Sequence, residues 1–236
     1  HGAYGNPNEN WFPWLKHELE KIGLTVFAPS FPTPEAQTLE NWLEAFSAYK
    51  VDEESILIGH SLGATFILNF LNKSKGKVKA AFLVAGFINP LGKKKFDAIN
   101  KSFYNKLSWS KLREQTRYFA YASDNDPYVP LEEGKRIAKK LDARFRLVKN
   151  AGHFNKASGY EKFDLLLEDL KVLLATDAFY RIRDIPYAIS RRSPQEMKKE
   201  GRGSCYHKHI WLAEEFRKLG LPVKFVVCQF KWGGSI

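Results

Sequence analysis

The sequence predicts an α/β fold, a parallel sheet with helices on both faces. Short apolar, β-branched runs alternate with segments whose apolar residues recur at helical spacing. One such run, Ser55-Ile56-Leu57-Ile58, passes through Gly59-His60-Ser61-Leu62-Gly63 into a helical pattern. Trp11, Trp14, Leu15 and Leu19 share one face of a first helix, which Gly23 ends. Leu24 to Ala28 reads as a strand, Pro29 to Pro34 as a loop, and Leu39 to Tyr49 as a helix with Trp42 and Phe46 on one side. Ala64 to Leu71 is the helix after the glycine-rich pentapeptide, and Val78 to Val84 the next strand. Tyr118 to Ala122 and Phe145 to Val148 read as further strands, with helices over Pro130 to Leu141 and Tyr160 to Leu174. In such a sheet, reactive groups gather at the carboxyl ends of the strands.

A G-x-S-x-G between a strand and a helix is a nucleophile elbow. Ser61 must sit at the tip of a sharp turn so that its Oγ projects from the sheet, and flanking glycines let strand and helix backbones approach. The N–H of Leu62, at the positive end of the new helix, is then aimed at a developing oxyanion. An acid and then a histidine follow in the order that goes with such an elbow. Ser123-Asp124-Asn125-Asp126-Pro127-Tyr128-Val129-Pro130 ends one strand, and Asn150-Ala151-Gly152-His153-Phe154-Asn155 follows another. His153 is the candidate general base. Asp126 is the preferred acid because Pro127 and Val129-Pro130 fix the loop after it, with Asp124 as the alternative. An aspartate there orients the imidazole and stabilises its cation.

The chain opens on His1-Gly2-Ala3-Tyr4-Gly5. A His-Gly turn after an early strand supplies a second oxyanion N–H, here from Ala3. The strand that should end at this turn is not in the sequence. The expectation is therefore a longer protein, with a β-branched strand immediately before His1.

Residues 1 to about 174 resemble the small serine hydrolases of the retinoblastoma-binding-protein-nine and YdeN type. The resemblance rests on His1-Gly2, Asn10-Trp11, the Gly59–Gly63 pentapeptide, Val84-Ala85-Gly86-Phe87, Ser123 to Pro130, and Gly152-His153-Phe154-Asn155. It implies an α/β-hydrolase domain over 1–174 and an esterase-like activity through a Ser61-Asp126-His153 triad. It says little about specificity.

The chain has 236 residues and 44% hydrophobic residues, enough for a sizeable core. It contains no apolar run long enough for a membrane span. Cys205 and Cys228 make no disulfide framework, so a reducing, cytoplasmic setting is the default. The net charge is +11. Residues 176–236 carry 12 Lys/Arg against 6 Asp/Glu, which permits anionic partners. No nucleic-acid motif accompanies that charge, so no nucleic-acid partner is expected. Residues 90–117 mix Lys93-Lys94-Lys95 with Phe96, Phe103, Tyr104, Leu107 and Trp109, and read as a short helical cap beside the substrate site.

Composition shifts after Leu174. Ile185-Pro186-Tyr187, Gly203-Ser204-Cys205, Lys208 and Leu219-Gly220-Leu221-Pro222-Val223 resemble the start of a transglutaminase-like cysteine fold. The resemblance implies a partial α+β module over 176–236 with Cys205 as a possible second nucleophile. Its histidine and acid would lie beyond Ile236. A cysteine in the first turn of a helix gains thiolate character from the dipole, and Ser204 is placed to cap that helix. Pro222 to Val227 reads as a strand.

The leading expectation is a serine hydrolase acting on a small-molecule acyl substrate, an ester or thioester, with no metal or organic cofactor. A non-catalytic protein-binding scaffold that keeps the triad, and cysteine acyl transfer or proteolysis centred on the C-terminal module, are the competing readings.

Overall fold

A computed structural model of the chain describes residues 1–188 and 193–225. The chain divides into two compact units, residues 1–17 with 26–163, and residues 18–25 with 164–236.

The first unit is built on four parallel strands in the order β1 (Ile56–His60), β2 (Ala80–Val84), β3 (Arg117–Ser123) and β4 (Arg144–Val148). Helices connect them: α3 (Leu62–Lys73) after β1, α4 (Lys94–Ile99) and α5 (Trp109–Gln115) after β2, and α6 (Leu131–Leu141) after β3. Two helices precede the sheet in sequence, α1 (Phe12–Lys21) and α2 (Leu39–Phe46). Strand alternation gives each face its own lining. Leu57, Ala81, Leu83 and Tyr118 pack with Leu68 and Leu71 of α3, Leu112 of α5 and Ile137 of α6. On the opposite face Phe82 stacks on Phe119 with ring centroids 4.4 Å apart. The aromatic row continues through Tyr121 and Phe163 to Trp11, which leads into α1. Helices thus cover both faces of the parallel sheet, as the sequence predicts.

α3 is buried almost all round, which suits a helix lying between the sheet and a second apolar layer. That layer is aromatic. Phe31 stacks on Trp42 at 4.5 Å, and Phe66 and Phe103 complete the cluster. Thr38 caps α2 by accepting from the Asn41 N–H at 3.2 Å.

Three element expectations are corrected. Leu24 to Ala28 joins no ladder. Its exposure alternates between half-buried and exposed over residues 24–27, but a strand exists by pairing, and no described strand pairs with it. Phe27 is accordingly 65% exposed. The helix expected to end at Leu174 runs on as α7 (Asp164–Arg183), so the boundary expected between Leu174 and Thr176 falls inside one helix. Nothing in Ala175–Tyr180 breaks a helix, and Arg181 and Arg183 favour its C-terminal end. Of the strand expected over Pro222 to Val227, residues 222–225 form none; the remainder, like Cys228, lies outside the described residues.

The second unit holds α7, α8 (Pro194–Glu200) and α9 (Cys205–Lys218). Its apolar centre is Ile182, Met197 and Trp211. The Lys198 ammonium and the Arg181 guanidinium lie 5.0 and 5.5 Å from the Trp211 ring. α8 starts with a capping box between Ser193 and Glu196. A single parallel bridge joins Tyr187 to Gly203, where a Cβ would run into the Met197 side chain. Among the described residues no helix is long and apolar enough to cross a membrane.

Tyr118 buries its hydroxyl without a partner among the described residues. An unpaired buried hydroxyl costs about 1–3 kcal/mol. Tyr118→Phe keeps the ring and removes that cost, so urea unfolding should show stability unchanged or raised by about 1 kcal/mol. A clear loss would mean that the hydroxyl is satisfied.

Candidate active site

Ser61 occupies the turn between β1 and α3 with φ 56° and ψ −121°. A side chain is rarely held at positive φ without support. Here the support is close backbone packing on both flanks. A Cβ at Gly59 would stand 2.5 Å from the Gly63 carbonyl oxygen, and one at Gly63 would stand 2.6 Å from the His1 carbonyl oxygen. The Ser61 N–H donates to Val84 at 2.8 Å, tying the turn to the end of β2. Leu62, the first residue of α3, carries one of the N–H groups that lack an intrahelical acceptor.

The His1-Gly2-Ala3 turn lies against the elbow. A Cβ at Gly2 would approach the Ser61 Cβ to 2.8 Å. The Phe31 N–H donates to His1 Nε2 at 2.9 Å, which leaves Nδ1–H to donate to the Gly2 carbonyl at 2.8 Å. The His1 ring therefore holds the turn that presents Ala3.

At the end of β3, Asp126 divides its carboxylate between two tasks. Oδ1 accepts from the N–H groups of Tyr128 and Val129 at 2.8 and 3.0 Å. Oδ2 accepts from His153 Nδ1 at 2.7 Å. With Nδ1 protonated, the Nε2 of neutral His153 carries the lone pair. Asp124 does something else: it accepts the Asn150 N–H at 2.7 Å. Ser123 Oγ accepts from Ala151 at 3.0 Å and Asn125 Oδ1 from Gly152 at 2.7 Å. Four consecutive side chains thus hold four consecutive residues of the histidine loop. That loop needs holding at Phe154, a bulky side chain at φ 50°.

Ser61, His153, Gly2 and Ala3 line one cleft of about 450 Å³. Its walls are largely apolar, with Phe12, Leu91, Phe96, Tyr128 and Val129. Glu9 and Lys93 are the charged residues of its wall. The Lys93 ammonium lies 5.0 Å from the Tyr128 ring, which in turn meets the His153 ring edge-on at 5.0 Å. The segment 90–117 splits in two. Leu91, Lys93 and Phe96 border the cleft, as expected of a cap, while α5 packs on α3 through buried Leu112.

His60 is buried and its Nε2 lies 2.7 Å from the His153 carbonyl oxygen. Only a protonated Nε2 can bond there, so the ring donates. Burial first, and then the neighbouring His153, push its pKa well below 6.5.

Cys205 is exposed at the first residue of α9 in the second unit. Ser204 stands at the cap position, but its hydroxyl bonds His207 Nδ1 at 2.7 Å and does not cap the helix. The side chain that would have closed the first turn is taken by the imidazole.

Residues 1–172 match the family described as serine hydrolase. The chain belongs to that family. It is 29% identical to YdeN of Bacillus subtilis over 175 residues, covering 72% of this chain and 91% of that one. It is 27% identical to serine hydrolase RBBP9 of Rattus norvegicus over 154 residues, covering 64% of this chain and 81% of that one. The crystal structure of the ydeN gene product superposes with a TM-score of 0.69 at 28% identity, over 73% of this chain and 95% of that one. The hydrolase BphD from a Rhodococcus strain shares the fold, with a TM-score of 0.54 at 14% identity, over 73% of this chain and 87% of that one.

Sequence reasoning missed His60, Ser123 and Asn125 as individual parts of this hydrolase site. A signal existed for each. His60 is a polar residue on a strand face otherwise carrying Ile56 and Ile58, and Ser123–Asp126 is an unbroken polar run at the end of a buried strand.

The lowered pKa of His60 has a stability consequence. Below pH about 6.5 an unfolded histidine takes up a proton that the folded ring refuses, so stability falls as pH falls through that window. His60→Gln should show a shallower decline between pH 7.5 and 5 in urea titrations. An unchanged decline would place the acid sensitivity elsewhere.

Proposed function

We propose that this serine hydrolase cleaves small carboxylic esters or thioesters through an acyl-enzyme. Ser61 Oγ attacks the acyl carbon while His153 Nε2 takes its proton. The oxyanion is met by the N–H groups of Leu62 and Ala3. As the intermediate collapses, His153 returns the proton to the departing alcohol or thiol. Water then attacks the acyl carbon, giving a proton to His153, and the released Ser61 recovers it. Asp126 keeps the imidazole oriented and stabilises its cation, and the cycle calls for no metal or organic cofactor.

The observation that carries this reading is the 2.7 Å contact between buried Asp126 Oδ2 and His153 Nδ1, behind the cleft that His153 and the strained Ser61 both line. The largely apolar walls favour acyl groups over highly charged ones. Ser61→Ala is expected to abolish both p-nitrophenyl acetate turnover and labelling by a fluorophosphonate. Intact protein that takes no label as wild type would favour the scaffold reading instead.

Asp126→Asn should cost on the order of 10⁴ in turnover, the usual cost of disabling a triad acid. Asp124→Asn keeps an oxygen for the Asn150 N–H and should cost less than about tenfold. The reverse ranking would exchange the roles of the two aspartates.

A second reading, cysteine acyl transfer on a transglutaminase-like module, is favoured by the exposed thiol at the N-terminus of α9. The two readings separate in one comparison. Cys205→Ala should leave p-nitrophenyl acetate turnover unchanged, and a loss comparable with that of Ser61→Ala would make the thiol the ester nucleophile.

A further inference from the structure

The histidine loop is held from two sides. From β3, Ser123, Asp124 and Asn125 accept its N–H groups. From the other side, two ring N–H donors take consecutive carbonyls: His60 Nε2 bonds the His153 oxygen at 2.7 Å, and Trp11 Nε1 bonds the Phe154 oxygen at 2.9 Å. The His60 ring faces the His153 ring at 4.7 Å and is flanked by Trp11 and Phe12. His60 is 5% exposed. It is also the residue immediately before Ser61. One covalent neighbour therefore ties the elbow to the main chain of the candidate base.

We propose that His60 is a positioning residue for His153: its imidazole N–H fixes the His153 carbonyl and so sets the distance from the His153 ring to Ser61. This rests on the assignment of Ser61 and His153 as nucleophile and base. The loop has a reason to drift without the bond. Phe154 sits at φ 50°, a conformation that relaxes for a bulky side chain unless its surroundings hold it. The N–H contacts from Ser123, Asp124 and Asn125 set the loop's height above β3. They do not touch the carbonyl edge, which the ring N–H groups of His60 and Trp11 hold, His60 being the one of the two that bonds His153 itself. A displacement of about 1 Å between reacting groups costs on the order of 10²-fold in rate.

Three substitutions in the full chain separate positioning from packing. His60→Gln places an amide N–H near the reach of Nε2. His60→Asn keeps the amide but falls short. His60→Phe fills the ring volume with no donor. Steady-state kinetics with p-nitrophenyl acetate should show Gln within about threefold of wild type. Asn and Phe should lose about 10- to 100-fold in kcat, with KM within about twofold, because the apolar wall residues Phe12, Leu91, Phe96, Tyr128 and Val129 are untouched. A purely structural role would track Tm and would not single out Gln for rescue. The inference is overturned if folded Asn or Phe variants match wild type, or if Gln is no better than they are, including by failing to fold. Ser61→Ala runs alongside: if it still turns over, the nucleophile assignment has failed; if it is inactive while His60→Phe is fully active, only the positioning role has failed.

Discussion

The left-handed turn at Ser61 is the constraint on which the rest of the site depends. A serine at φ 56° is held there only because strand and helix close on it from both sides. That closeness dictates hydrogen in place of a side chain at Gly59 and Gly63, and at Gly2 across from the serine. It also fixes what must surround the elbow. The sheet supplies Val84 as acceptor for the Ser61 N–H, and α3 begins immediately after the turn, so that the Leu62 N–H has no intrahelical acceptor. Strain at one residue thus organises a strand end, a helix start and the His-Gly turn.

The second organising feature is the division of labour among four adjacent side chains. Ser123 ends β3 and Asp124, Asn125 and Asp126 lie in the loop beyond it, yet all four find partners in residues 150–153. Three of the partners are backbone N–H groups and one is an imidazole. The two aspartates are therefore chemically alike and functionally distinct. One carboxylate steadies the main chain; the other is presented to a ring nitrogen.

Much of this was legible in the sequence. The alternation of apolar runs gave the parallel sheet, and the pentapeptide gave the elbow, because both depend on local spacing. The order of Ser61, Asp126 and His153 followed from where strands end. What was not legible depended on pairing. Leu24–Ala28 has the composition of a strand but no described neighbour, and α7 passes through Leu174 because nothing local stops it. His60 escaped notice because its task is defined by a carbonyl 93 residues away. Ser204 has the right identity and position for a cap, and lost that task to His207, three residues along the same helix.

The packed contact between residues 123–126 and 150–153 also limits how this hydrolase can diversify. Because each of four neighbouring side chains is committed to the same short loop, inserting or deleting one residue in either segment would misalign every bond together. The Asp126–His153 contact is therefore one bond of a block and cannot be shifted without the other three. Variation in what the molecule accepts has to come from walls that carry no such obligation, the stretch around Leu91, Lys93 and Phe96 and the rim at Tyr4. The hydrogen-bonded block and the apolar walls of the cleft are thereby separately mutable parts of the chain.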